Sequence, residues 1–185
     1  MCPDMDSLRG QLLIASPALE DPNFHRTVVL VTEHTADGAM GLILNRPAQT
    51  PVEEIAPELG LLVDATDLVY VGGPVGEEAV IVLAEFEDPS EAAAPVMGGL
   101  GFVPADADEA DLATRLRRAR VYAGYAGWGP GQLDGEIDEE AWILEPAAVD
   151  DAFAEDVTSL WSTVLKRKGD EYALLSTMPP DPSVN

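Results

Sequence analysis

Few side chains in this 185-residue sequence are of types that do chemistry, and their spacing limits what that chemistry is. Its two histidines, His25 and His34, stand nine residues apart with a β-branched run between them. A straight strand rises about 3.3 Å per residue, which sets the two rings roughly 30 Å apart and excludes a shared zinc site. His34 beside Glu33 makes a turn cluster satisfied by hydrogen bonds, and no metal ligand is assigned. Cys2 lies in the expected N-terminal tail, a poor place for a nucleophile. No G-x-S-x-G elbow frames a serine, and Ser16 precedes Pro17 in an apolar setting. No catalytic residue follows from these patterns.

Residues 127–131 (GWGPG) lie between an expected strand and an expected helix, the context of a dinucleotide turn. Gln132 takes the place of the third glycine, however, and Asp134, Glu136 and Asp138 bring negative charge to where a phosphate would sit. A tight turn that lets Trp128 pack is the expectation, with no cofactor.

Binding is the chemistry that remains. If residues 26–33 and 38–45 pair as a hairpin with His34 near Ala39, then Arg26 falls opposite Asn45, Arg46 and Pro47. Arg26, Asn45 and Arg46 would form a donor-rich end able to grip a carboxylate or phosphate. The alternative is an internal partner such as Glu20 or Asp21. In either case Arg26 and His34 sit at opposite ends of the hairpin and cannot share one small site. Trp128, flanked by glycines, is the tryptophan expected to face a groove, while Trp142 and Trp161 supply core mass.

The elements that must position these residues are mostly strands. Short apolar or β-branched runs at 10–16, 26–33, 38–45, 68–71, 79–86, 98–103, 120–128 and 142–144 read as extended. Thr50-Pro51-Val52-Glu53 has the form of a capping box opening a helix to about Ala56. Further helices are expected at 106–118, 132–139 and 157–168, the last stopped by Gly169. The ending LLSTMPPDPSVN reads as extended. Strands outnumber helices without regular alternation, which predicts an α+β fold: a single compact domain with a mixed, strongly coiled β-sheet and several short helices. Residues 1–9 are expected to be a flexible tail and 10–185 the domain.

Thirty-four acids against ten bases give a net charge of −24, with 46% hydrophobic residues, enough for a full core. Such a field repels nucleic acid and anionic membranes. Seven of the ten bases lie in residues 115–120 (RLRRAR) and 166–168 (KRK), each near the expected end of a helix, where cations complement the dipole. A single cysteine permits no intrachain disulfide. The start MCPDMDSLRG lacks the pattern of a signal peptide, and no run approaches the roughly 20 apolar residues that span a bilayer. A cytoplasmic location is expected.

Three blocks carry a resemblance: LLIASPALEDPNFHRTVVLVTEHTADGAMGLILNRP from residue 12, VYVGGPV from residue 69, and YAGYAGWGPGQLDGEIDEEAWILEPA from residue 122. In order and spacing, over about residues 10–146, the chain resembles the YqgE/AlgH family of bacterial proteins. Its ending, LWSTVLKRKG and LLSTMPPDPSVN, is similar to the actinobacterial branch. Arg26, Glu33, His34, Asn45, Pro47, Gly72, Gly73, Trp128 and Gln132 match the family pattern, whereas His25 stands where relatives often carry another basic residue. The resemblance implies a compact α+β fold of coiled, bifurcating sheets. It implies no reaction, and the family's label of transcriptional regulator comes from effects on exopolysaccharide production. The chain is therefore expected to be a non-catalytic binding or interaction module with an unknown protein partner or a small anionic ligand. The alternatives are a regulator acting indirectly through a protein partner, and an unrecognised enzyme acting on a small anionic metabolite.

Overall fold

The apolar runs of the first third pair with one another. β1 (Gln11–Ala15), β2 (Val28–Thr35) and β3 (Gly38–Ile43) form an antiparallel meander, and β10 (Trp142–Pro146) lies antiparallel along the free edge of β1. The computed structural model describes residues 7–64 and 66–179. Cys2 and the last prolines lie outside the described residues. Leu12, Ile14, Leu30 and Leu42 are buried on one face of the meander, and Leu13, Val29, Val31 and Ile43 on the other. Burial on both faces explains why these strands read as continuous apolar runs with no polar alternation.

The second half of the sheet is built around β9 (Leu116–Trp128). On one side β9 carries β6 (Val75–Phe86), which pairs in turn with β8 (Leu100–Phe102), and β8 with β7 (Ala94–Met97). Its other side serves two neighbours. Residues 126–128 pair with β3, while Tyr122 and Ala123 pair in parallel with β5 (Leu68–Val71), itself joined to β4 (Pro47–Pro51). One edge shared by two strands splits the sheet, and the parallel β5–β9 pair makes it mixed. Gly72 and Gly73 sit at the fork. A Cβ on Gly72 would run into the carbonyl of Gly124, and one on Gly73 into the backbone of Tyr125, so the VGGP step needs residues without side chains.

Helices cover the faces. α4 (Leu160–Lys168) buries Leu160, Trp161, Val164 and Leu165 against Leu12, Ile14, Leu42 and Tyr122. α3 (Gln132–Asp138) places Leu133 on the opposite face of the meander beside Trp128 and Trp142. α1 (Val52–Ile55) and the 3-10 turn Pro57–Leu61 cover the far side of β5, β9 and β6 with Val52 and Leu59. The α+β architecture is as expected. Among the described residues no helix is long and apolar enough to cross a membrane.

Several local expectations fail for identifiable reasons. The capping box does not form: Thr50 belongs to β4, and α1 starts at Val52 with Pro51 at its cap and no side-chain cap bond. Of the helix expected at 106–118, only α2 (Glu109–Leu112) exists, capped by Asp108, whose side chain accepts from the Asp111 N–H at 3.0 Å. From Leu116 the chain joins β9, because period two suits its residues: Ala119, Val121 and Ala123 face the α1 layer, and Arg118, Arg120 and Tyr122 the other. Arg115 thus sits in the turn after α2, while Arg117, Arg118 and Arg120 lie on a strand and not at a helix end. The 166–168 run does close α4, ahead of Gly169. Within the expected extended ending, α5 (Glu171–Leu175) takes up Leu174 and Leu175. β4 and β7, both containing proline, have no clear signal in the sequence.

Candidate functional site

The loop before β2 is wound tightly. Asp21 accepts the Asn23 N–H at 2.9 Å through its side chain, and its carbonyl accepts the N–H groups of Phe24 and His25. The Thr27 N–H and hydroxyl both return to the Phe24 carbonyl. This winding leaves Arg26 in the left-handed region at φ 56°. Asn45 holds it there. Its amide N–H donates to the Arg26 carbonyl at 2.9 Å, while its amide oxygen accepts the Val28 N–H at 3.0 Å. The hairpin register is the expected one, with His34 opposite Ala39.

Arg26 and Arg46 do meet at the same end of the hairpin, but their guanidiniums line different cavities. Arg26 lies 4.0 Å over the Trp161 ring and donates to the Met178 carbonyl at 3.0 Å. It faces a cavity of about 290 Å³ with Pro17, Glu20, Trp161 and Met178 in its walls. Arg46 donates to the His25 carbonyl at 2.7 Å and lines a smaller cavity of about 160 Å³ beside Gly73 and Glu77. Among the described residues neither arginine forms a salt bridge; Glu20 shares the Arg26 cavity without pairing with it. Partial burial withdraws water from both guanidiniums and lowers their pKa from the ordinary arginine value. Asn45 spends its amide on backbone and positions the cluster.

The other arginines contrast with this pair. Arg118 bridges Glu85 and Asp150 at 2.8 Å each, and Arg115 pairs with Glu91 and Asp111. Arg167 grips Asp151 through two bonds of 2.8 Å, and Arg120 donates to the carbonyls of Ala152 and Ala154.

At the opposite end of the hairpin, His34 is buried, and Nδ1 accepts the Leu8 N–H at 3.0 Å. That bond leaves the ring proton on Nε2, which points to Asp134 at 3.7 Å. The Ser7 hydroxyl donates to the His34 carbonyl, so His34 ties residues 7 and 8 to the domain. Glu33 is exposed and lines two adjoining cavities. Trp128 is nearly buried, with one edge on a 220 Å³ hollow at the hairpin turn. Its indole N–H and that of Trp142 both donate to Glu136 Oε2, at 2.8 and 2.9 Å, and Phe24 stacks on Trp128 and meets Trp142 edge-on. Gln132 accepts the Gly129 N–H and donates to Glu136, so the GWGPGQ turn is an aromatic clamp. Among the described residues no three His, Cys, Asp or Glu side chains converge as a metal site.

Sequence reasoning missed Trp161 and Met178, which complete the Arg26 site from 135 and 152 residues away, and no local pattern pointed to either. It also missed a cavity of about 520 Å³ between the 3-10 turn Pro57–Leu61, α2 and the middle of β6.

Comparison with known proteins gives a consistent result. A family model described as AlgH-like matches residues 12–173. A UPF0301 protein of Thermobifida fusca is 45% identical, with 98% of each chain covered. One from Streptomyces avermitilis is 39% identical over 98% of this chain and 97% of its own. The crystal structure of a Corynebacterium diphtheriae protein superposes with a TM-score of 0.84 at 28% identity, covering 91% of each chain. The solution structure of the AlgH protein from Pseudomonas aeruginosa gives 0.72 at 30% identity, covering 97% of this chain and 98% of that one.

Proposed function

The chain belongs to the AlgH-like family, and from that premise we propose that it is a non-catalytic binding module whose Arg26 cavity takes a small organic anion. The observation that carries this is the state of Arg26. In a protein of net charge −24, its guanidinium is stacked on Trp161 and partly dehydrated, with no carboxylate paired to it among the described residues. The rest of the cavity is largely apolar, with Pro17, Trp161, Met178 and Pro179 in its lining. A guanidinium at the mouth of such a cavity suits a carboxylate or phosphate carried on an apolar body. Glu20 on the same lining would accept a hydroxyl or amine of that ligand. Among the described residues no nucleophile with an adjacent base lines the Arg26 cavity, and this supports binding over turnover.

A second reading, regulation through a protein partner, is favoured over direct contact with DNA by the other arginines. Arg115, Arg118 and Arg167 are committed to carboxylates, which removes the basic footprint that phosphate contacts require.

The test is thermal unfolding of the wild type and Arg26→Ala with inorganic phosphate, succinate, citrate, benzoate and indole-3-acetate. A ligand at a hundred times its Kd adds about 2.7 kcal/mol, which raises the midpoint by several degrees in a domain of this size. The expected result is a rise with one or more apolar carboxylates, measured against each variant's own unliganded midpoint and absent in Arg26→Ala. No rise with any of them, or an equal rise in Arg26→Ala, overturns the proposal. Turnover of a bound anion that Arg26→Ala abolishes would replace the non-catalytic part of it.

A further inference from the structure

The outer edge of β6 is covered for only part of its length. β8 pairs with Leu83, Ala84 and Glu85, and the Val103 N–H donates to the Val82 carbonyl at 3.0 Å. Toward the start of β6 no strand of the described residues lies on that side, and β9 holds the other. Since Val82 directs its backbone to the outer edge, the alternation of the strand directs that of Val80 the same way. The burial pattern follows: Val80 is 41% exposed, while Leu83 and Ala84 are fully buried.

This open edge lies in the 520 Å³ cavity. Leu59 and Leu62 wall the cavity on the α1 side of the sheet, with Met40 and Phe102 also in its lining. The charged side chains that line it are Glu33, Glu58 and Glu109, and no basic one does. Glu33 and Met40 also line the 220 Å³ hollow beside Asp37 and Trp128, so this hollow adjoins the groove and adds a carboxylate next to it.

We propose that this groove binds an extended peptide segment of a partner protein, apolar and basic in alternation, which adds as a strand to β6 at Val80–Val82. Each feature of the groove answers one feature of such a ligand. The open edge supplies backbone donors and acceptors, the apolar walls accept alternate side chains, and the glutamates pair with lysines or arginines between them. A second copy of this chain is disfavoured as occupant by the repulsion between two bodies of charge −24. Glu77 and Glu78, on the stretch between Val75 and Val80 where the register breaks, guard the rest of the edge against such self-pairing. The site is separate from the Arg26 cavity and does not depend on what that cavity binds.

The test uses the full chain and a fluorescein-labelled heptapeptide of alternating lysine and valine, read by fluorescence polarisation. Controls are the glutamate–valine counterpart and a lysine–valine peptide with proline at the central valine, which cannot donate its backbone N–H. Binding of the lysine–valine peptide alone is expected, weakened at least about tenfold by Val80→Lys and by the rim reversal Glu58→Lys/Glu109→Lys. Arg26→Ala should bind it as the wild type does, and hydrogen exchange should slow at the amides of Val80 and Val82. Equal binding of the proline peptide, or protection mapping elsewhere, overturns strand addition in favour of unspecific charge attraction. No binding of the peptide at millimolar concentration also overturns it. A monomer–dimer equilibrium abolished by Val80→Lys would assign the edge to a second copy and overturn it too.

Discussion

Arg26 combines a side chain that the proposed site needs with a backbone conformation that its side chain resists, and substitution separates the two. Arg26→Ala removes the stack on Trp161 and the bond to the Met178 carbonyl. For a half-buried group these contribute about 1 kcal/mol each, so the variant should lose about 2 kcal/mol. Arg26→Gly loses the same contacts but also relieves the left-handed φ of 56°. That relief is about 1–2 kcal/mol for an L-residue, offset by roughly 0.5–1 kcal/mol of extra chain entropy in unfolded glycine. Glycine should therefore be more stable than alanine here by about 0.5–1 kcal/mol, or roughly 2–4 °C per kcal/mol in a domain of this size. In ordinary backbone the order is the reverse, so the sign alone decides. Urea unfolding followed by tryptophan fluorescence reads it directly, as a difference in midpoint at constant m-value. The Asn45 clamp supplies a second check. Removing it with Asn45→Ala frees the Arg26 carbonyl, so the backbone can relax and the glycine advantage should shrink. If Arg26→Gly proves less stable than Arg26→Ala, the account of the loop is wrong, and with it the placement of the guanidinium over Trp161.

Three further outcomes are expected. The Tyr122 hydroxyl is fully buried with no hydrogen-bond partner among the described residues, and burial pushes its pKa well above the usual 10, so Tyr122→Phe should gain about 1 kcal/mol. A loss in urea unfolding would reveal a partner for that oxygen. Gly73→Ala drives a methyl group into the Tyr125 backbone where the sheet forks, and should cost at least about 3 kcal/mol. A native-like midpoint would mean that β5 can move away from β9 freely. Hydrogen bonds from Thr66, Ser90, and Thr158 with Ser159 hold Asp64, Asp88 and Asp156 below their usual 3.8. With folded pKa values depressed, their contribution is present above pH 3.8 and fades as the pH falls through the folded values. The double variant Asp88→Asn/Asp156→Asn should show a shallower fall in midpoint below pH 3.8, and an unchanged slope would show that these turns do not couple to unfolding.

Much of the fold is legible in the sequence. The runs at 10–16, 26–33 and 38–45 are apolar enough that nothing but buried strands suits them, and Asp37-Gly38 sets the turn between two of them. From this came the His34–Ala39 register and the meeting of Arg26 with Asn45 and Arg46 at one end. The GG of VYVGGPV and Gly124 of YAGYAGW are also local signals, because only residues without a Cβ fit where the chain after β5 passes β9. Other features were decided by tertiary contacts. Residues 115–120 have helix-forming composition, yet they extend into β9 because the ladder to β6 and the cross-strand pair Glu85–Arg118 outweigh local propensity. Trp161 reaches Arg26 only because α4 docks on the face of the sheet that holds Leu12 and Ile14, where its indole N–H finds the Ala15 carbonyl. The groove at Val80 exists because β8 is short and leaves β6 half covered. Periodicity and glycine placement act over a few residues and can be read along the chain. Which side chain covers a guanidinium, and which strand edge stays open, depend on how distant elements share one sheet, and only folding decides them.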